Sequence, residues 1–97
     1  MKRAAALSVL RAHEAELKRL GVEHLYLFGS TARDDAGAES DVDLFFDRAE
    51  GSLGLFALIS VKEAASRILE RRADIMTRRG LHPVLRPEIE ASARRVF

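Results

Sequence analysis

The chain contains no cysteine. That excludes a disulfide framework and any thiolate zinc site. Its three histidines, His13, His24 and His82, are scattered along the sequence, which argues against zinc in any form. Long apolar runs are missing as well. Nothing approaches the roughly 18 consecutive apolar residues of a membrane-spanning helix. The first residues, Met1 to Leu7, begin like a signal peptide, but Arg11, His13 and Glu14 interrupt the apolar stretch too early. A cytoplasmic protein with no membrane partner is expected.

A large net charge is also absent, the formal balance being +1. The whole chain is therefore no polycation. The charge is unevenly placed, with seven acids and one base between Asp34 and Glu50, and eight arginines and four acids between Arg67 and Phe97. That basic third lacks interleaved aromatics and has acids scattered through it, so direct nucleic-acid binding is not expected.

What is present is an ordinary globular composition, 47% hydrophobic and 32% charged. At 97 residues, a single domain over 1–97 is expected. So short a chain buries only about 60–65% of its unfolded surface. A site on it is shallow, or is completed by a partner or a second copy, so homo- or hetero-oligomers are expected.

Leu7, Leu10, Leu17 and Leu20 lie near helical spacing and predict a helix over 2–20, with Gly21 as its C-terminal cap. His24 to Phe28 is short, aromatic and apolar, and predicts a strand buried on both faces, with Tyr26 and Phe28 in the core. Ser30 to Arg33 predicts a helical turn capped by Ser30. A loop over 34–40 leads to a strand over 41–46, then a loop over 47–54, with Asp47 capping its turn. A helix over 55–70, a strand over 72–77, a loop over 80–87 and a last helix from Pro87 complete the pattern. Strands alternating with helices imply an α/β (α+β) fold, a small mixed sheet flanked by helices.

Within the second strand, Asp41, Asp43 and Phe45 face one way, and Val42, Leu44 and Phe46 the other. Aspartate is poor in strands, so two on one face must gain something. They lie about 7 Å apart at the backbone and repel each other unless a cation stands between them. Hard carboxylate oxygens suit Mg²⁺. Asp74, in the third strand, is the candidate third ligand. Three such carboxylates can hold two ions about 3.5–4 Å apart, a clamp for phosphoryl or nucleotidyl transfer. Gly29 and Ser30 then offer free backbone N–H groups and a hydroxyl for phosphates, with Arg33 in reach of a phosphate oxygen.

Gly29-Ser30, ten residues, then Asp41-Val42-Asp43 resembles the G-S-x10-D-x-D pattern of the minimal nucleotidyltransferases, in the DNA polymerase beta-like nucleotidyltransferase superfamily. The likeness spans roughly residues 20 to 80. It implies a palm-like mixed sheet with helices on one side. It also implies Mg²⁺-dependent transfer of a nucleoside monophosphate from a nucleoside triphosphate, ATP by resemblance, with release of pyrophosphate. Asp41, Asp43 and Asp74 would ligate two Mg²⁺ ions, and Asp74 would help deprotonate the acceptor hydroxyl. Gly29, Ser30 and Arg33 would bind the triphosphate. Many short members are encoded beside a helical HEPN-domain toxin and act as its antitoxin, some by placing AMP on a tyrosine of the toxin. The alternative is a catalytically silent antitoxin that neutralises its partner by binding alone. Transfer to a small molecule is a third reading, disfavoured because such relatives carry an added helical domain. One departure stands out: Arg33 is followed by Asp34-Asp35, where the family often has glycine.

Overall fold

The computed structural model describes residues 1–37, 39–51 and 54–97. The loops expected over 34–40 and 47–54 include Ala38, Ser52 and Leu53, which lie outside the described residues.

The N-terminal helix forms, but in two pieces, α1 (Arg3–Ala12) and α2 (Glu14–Arg19). His13 breaks it. Its ring Nδ1 hydrogen-bonds the Val9 carbonyl at 2.8 Å, while its own N–H moves to the Leu10 carbonyl. The side chain thus takes the acceptor that a continuous helix would give the backbone. Gly21 ends α2 as expected, at φ +107, with its N–H on the Lys18 carbonyl.

β1 (Val22–Phe28) leads into the short α3 (Gly29–Ala32), and β2 (Val42–Arg48) follows. β2 lies antiparallel to β1 and parallel to β3 (Ala73–Thr77), with α4 (Leu55–Leu69) as the crossover. A short 3-10 turn (Arg78–Gly80), α5 (Arg86–Ser92) and a two-residue strand β4 (Arg94–Arg95) end the chain. The sheet order is β3-β2-β1-β4, so it is the mixed sheet with flanking helices that the sequence implies. Among the described residues no helix is long and apolar enough to cross a membrane.

The core lies between one sheet face and the helices. Leu25 and Leu27 of β1 and Val42, Leu44 and Phe46 of β2 pack with Leu10, Leu17, Val61, Ala65 and Leu69. Each fully buried large side chain contributes about 1.5–3 kcal/mol. The other face differs from the expectation of a strand buried on both sides. Tyr26 and Phe28 are only half-buried there. They close over Phe45, whose ring is fully buried 4.8 Å from Tyr26 and 5.7 Å from Phe28. The Arg78 guanidinium, 5.1 Å from the Phe45 ring centroid, adds to this cover at the far end of the strand. This face therefore stays open at the Asp43 end.

Candidate active site

Gly29 turns the chain out of β1 at φ +72. A Cβ built there would collide with the Asp43 carboxylate. Glycine is required twice over, by its conformation and by the approach of backbone to Asp43. Ser30 follows inside the first turn of α3. The position before that turn is Phe28, and no side chain caps it. The expectation that Ser30 caps the turn is thus corrected: the helical turn begins one residue earlier, so the Ser30 hydroxyl is not spent on capping. Beside it Thr31 is 1% exposed, and its Oγ1 has no hydrogen-bond partner among the described residues.

The Asp34-Asp35 departure has a structural account. Asp34 sits at φ +63, the left-handed conformation that glycine adopts easily. Its Oδ1 accepts the backbone N–H of Arg3, at the start of α1, at 2.8 Å. That hydrogen bond, ahead of nearby cations, holds the Asp34 carboxyl below the usual range. Asp34 therefore directs its charge to the N-terminus of α1. Asp35 pairs with Arg33 Nε at 3.3 Å, both largely exposed.

Asp43 points from β2 onto the open face. It pairs in register with Phe28 of β1 and with Asp74 of β3. Burial first, then Asp74 and Asp41, push its pKa up, and Arg33 opposes them. Asp41, Asp43, Asp74, Arg33 and Gly29 thus form one neighbourhood. Asp41 is not in the strand as expected. It precedes Val42, is exposed, and stands 3.7 Å from Arg72 Nε. Among the described residues no three acidic or histidine side chains are gathered as a ready metal cage.

The donor set nevertheless fits a hard divalent cation. Mutually repelling carboxylates with one raised pKa are what such an ion neutralises. The exposed Asp41–Arg72 pair contributes at most about 1 kcal/mol, a small barrier to turning Asp41 toward an ion. The same residues, with Gly29 and Ser30 beside them, can hold a phosphate ester and its cation together.

Sequence reading missed a second cluster. Asp47 does not cap its turn. Both its oxygens take Arg78, at 2.7 and 3.1 Å, and Arg78 also donates to Glu90 at 2.5 Å. The Arg78 guanidinium lies 4.8 Å from the Tyr26 ring centroid and 5.1 Å from that of Phe45. The signal was there, since Asp47 continues the alternation of Asp43 and Phe45, as Arg78 continues that of Asp74 and Met76.

Comparison with known proteins bears on this arrangement. The family model described as nucleotidyltransferase domain matches residues 10–96. A Methanocaldococcus jannaschii protein assigned as a protein adenylyltransferase is 34% identical over 84 residues, covering 84% of this chain and 85% of the relative. The protein adenylyltransferase MntA of Thermococcus cleftensis is 36% identical over 75 residues, covering 76% and 75%. A solved structure assigned as a minimal nucleotidyltransferase superposes with a TM-score of 0.75 at 34% identity, covering 97% of this chain and 95% of that one. A chain from a complex of tri-AMPylated Shewanella oneidensis HEPN toxin with MNT antitoxin shares the fold, with a TM-score of 0.65 at 17% identity over 94% and 71%. With the glycine turn, the paired carboxylates and these matches together, the chain belongs to the nucleotidyltransferase domain family and is an enzyme of its minimal kind.

Proposed function

We propose that this chain transfers AMP from ATP to a hydroxyl of a partner protein, a tyrosine of a helical HEPN-type toxin, and so acts as its antitoxin. The observation that carries the reading is the register pair Asp43–Asp74 beside a glycine where a Cβ would collide with the Asp43 carboxylate. The names of the relatives, protein adenylyltransferase and MNT antitoxin, support AMP transfer to a protein and a toxin as partner. A cytoplasmic setting and a single domain over 1–97 go with it.

Asp41, Asp43 and Asp74 would hold Mg²⁺, in two ions, and Gly29, Ser30 and Arg33 the triphosphate. Bound there, the metal supplies charge neutralisation of the phosphates and of the leaving pyrophosphate. Gly29 brings backbone N–H groups up to the phosphates without a side chain in the way. Arg33 exchanges its exposed partner Asp35 for a phosphate oxygen. Asp74, on the outer strand of the sheet, receives the proton of the acceptor hydroxyl. The acceptor oxygen then bonds to the α-phosphorus, the bond from that phosphorus to the bridging oxygen breaks, and pyrophosphate leaves. The shallow open face leaves room for the partner to supply the missing wall.

A second reading is neutralisation by binding alone, with Asp41 left beside Arg72 instead of a metal ion. The purified chain with Mg²⁺ and α-³²P-labelled ATP in lysate of its host separates the two. One labelled protein, absent with Asp41→Asn/Asp43→Asn or with EDTA, is the expected result. No label, with the acceptor present, unmodified and accessible, would leave neutralisation by binding alone.

A further inference from the structure

The site above draws only Asp74 and Arg72 from the arginine-rich C-terminal third, yet three more of its arginines gather at the opposite end of the sheet. β2 and β3 are a parallel pair, and a cavity of about 740 Å³ opens where both strands end. In open α/β sheets, the carboxyl ends of parallel strands are where ligands bind. Five residues of β2, about 16 Å, separate this place from Asp43.

The wall carries Arg48 and Asp47 from the end of β2, Arg78 and Arg79 from the 3-10 turn, Arg86 from α5, and Glu50. The charges are not evenly spent. Asp47 is taken by Arg78, and Glu90 by Arg78 and Arg86. Arg48 and Arg79 are exposed and have no acid partner among the described residues. Glu50 is the one carboxylate of the wall left to oppose them. Arg78 is fixed by its two acids and by the Tyr26 and Phe45 rings, so one side of the cavity is rigid. Arginines of three elements line the cavity, and guanidinium groups suit the planar, bidentate recognition of phosphate. The volume lies within the range of small-molecule sites, roughly 300–1,000 Å³, and far exceeds one phosphate group.

We propose that this cavity binds a phosphate-bearing anion of nucleotide size, at a site separate from the Asp43–Asp74 face. Arg48 and Arg79 supply the free guanidiniums, and Arg78 supplies the fixed floor.

The test is calorimetric titration of the full chain with ADP, and separately with inorganic pyrophosphate, in EDTA. Without metal, the carboxylates of the active face repel an anion, so binding reports the cavity. Saturable binding is expected, weakened at least tenfold by Arg48→Ala/Arg79→Ala. Tighter binding of ADP than of pyrophosphate identifies a nucleotide; equal binding identifies the phosphate groups as the whole determinant. Both exchanged arginines are exposed, and circular dichroism of the double variant checks its fold. Amide NMR shifts of the unaltered chain on adding ADP give an independent readout, expected at Arg48, Ala49 and Arg79. No saturable binding, binding that survives the double substitution, or shifts confined to Gly29 and Ser30 would overturn the proposal.

Discussion

Asp43 of β2 stands level with Asp74 of β3 across a parallel strand pair. Burial, and then Asp74 and Asp41, hold the pKa of Asp43 above its ordinary value. The folded chain therefore binds this proton more tightly than the unfolded chain. The stability linked to it is present below the unfolded carboxylate range and is lost as pH rises through the folded pKa. Asp43→Asn removes that loss. In EDTA at neutral pH the variant should melt above the wild type, and the difference should vanish in acid. AMP transfer by the same variant should fall at least about a hundredfold, by comparison with the loss seen when mere supports of metal ligands are removed. Melting curves across a pH series and a transfer assay check both halves.

Gly29→Ala tests the other wall of the site. The left-handed conformation alone costs an L-residue about 1–2 kcal/mol, and the new methyl group also displaces the Asp43 carboxylate. Urea unfolding should show a loss of at least that size. Transfer should be lost even at temperatures where the variant is folded.

Much of this site was legible in the sequence. The spacing from Gly29-Ser30 to Asp41 and Asp43, the period of two in β2, and Gly21 as a stop signal are local patterns, and local physics fixed them. The remainder depended on distant partners. His13 breaks its helix through a side-chain bond that helical periodicity does not reveal. β4 is two residues long and exists because the Val96 N–H reaches the Leu25 carbonyl at 2.8 Å and Arg11 holds the Val96 carbonyl at 2.7 Å. Tyr26 and Phe28 read as core because they are aromatic, yet their work is to cover Phe45 on an otherwise open face.

The Asp47–Arg78 pair gives the opposite pH dependence. The hydrogen bonds from Arg78 are the main cause that holds the Asp47 carboxyl below its ordinary value. Its contribution is present above the unfolded carboxylate pKa and is lost as pH falls through the folded pKa. Asp47→Asn should cost about 1–2 kcal/mol at neutral pH, the scale of a hydrogen bond to a charged group that is partly solvated. It should also flatten the acid limb of the stability profile. Chemical denaturation at neutral and acid pH measures it.

Glu70 ends α4 at φ +53, with the Arg71 N–H returning to the Ser66 carbonyl. This is the left-handed cap that glycine fills without strain. Glu70→Gly should therefore stabilise the chain by about 1 kcal/mol, without altering transfer. Thermal melts and the transfer assay test this together.

Nucleotide chemistry on this chain depends on the divalent-cation site proposed at Asp41, Asp43 and Asp74. Its most direct measurement is Mn²⁺ binding followed by electron paramagnetic resonance, with and without a non-hydrolysable ATP analogue. Two ions per chain are expected when the analogue is present, with loss of that binding in Asp43→Asn. Equal Mn²⁺ binding by wild type and Asp43→Asn, or none by either, would contradict it.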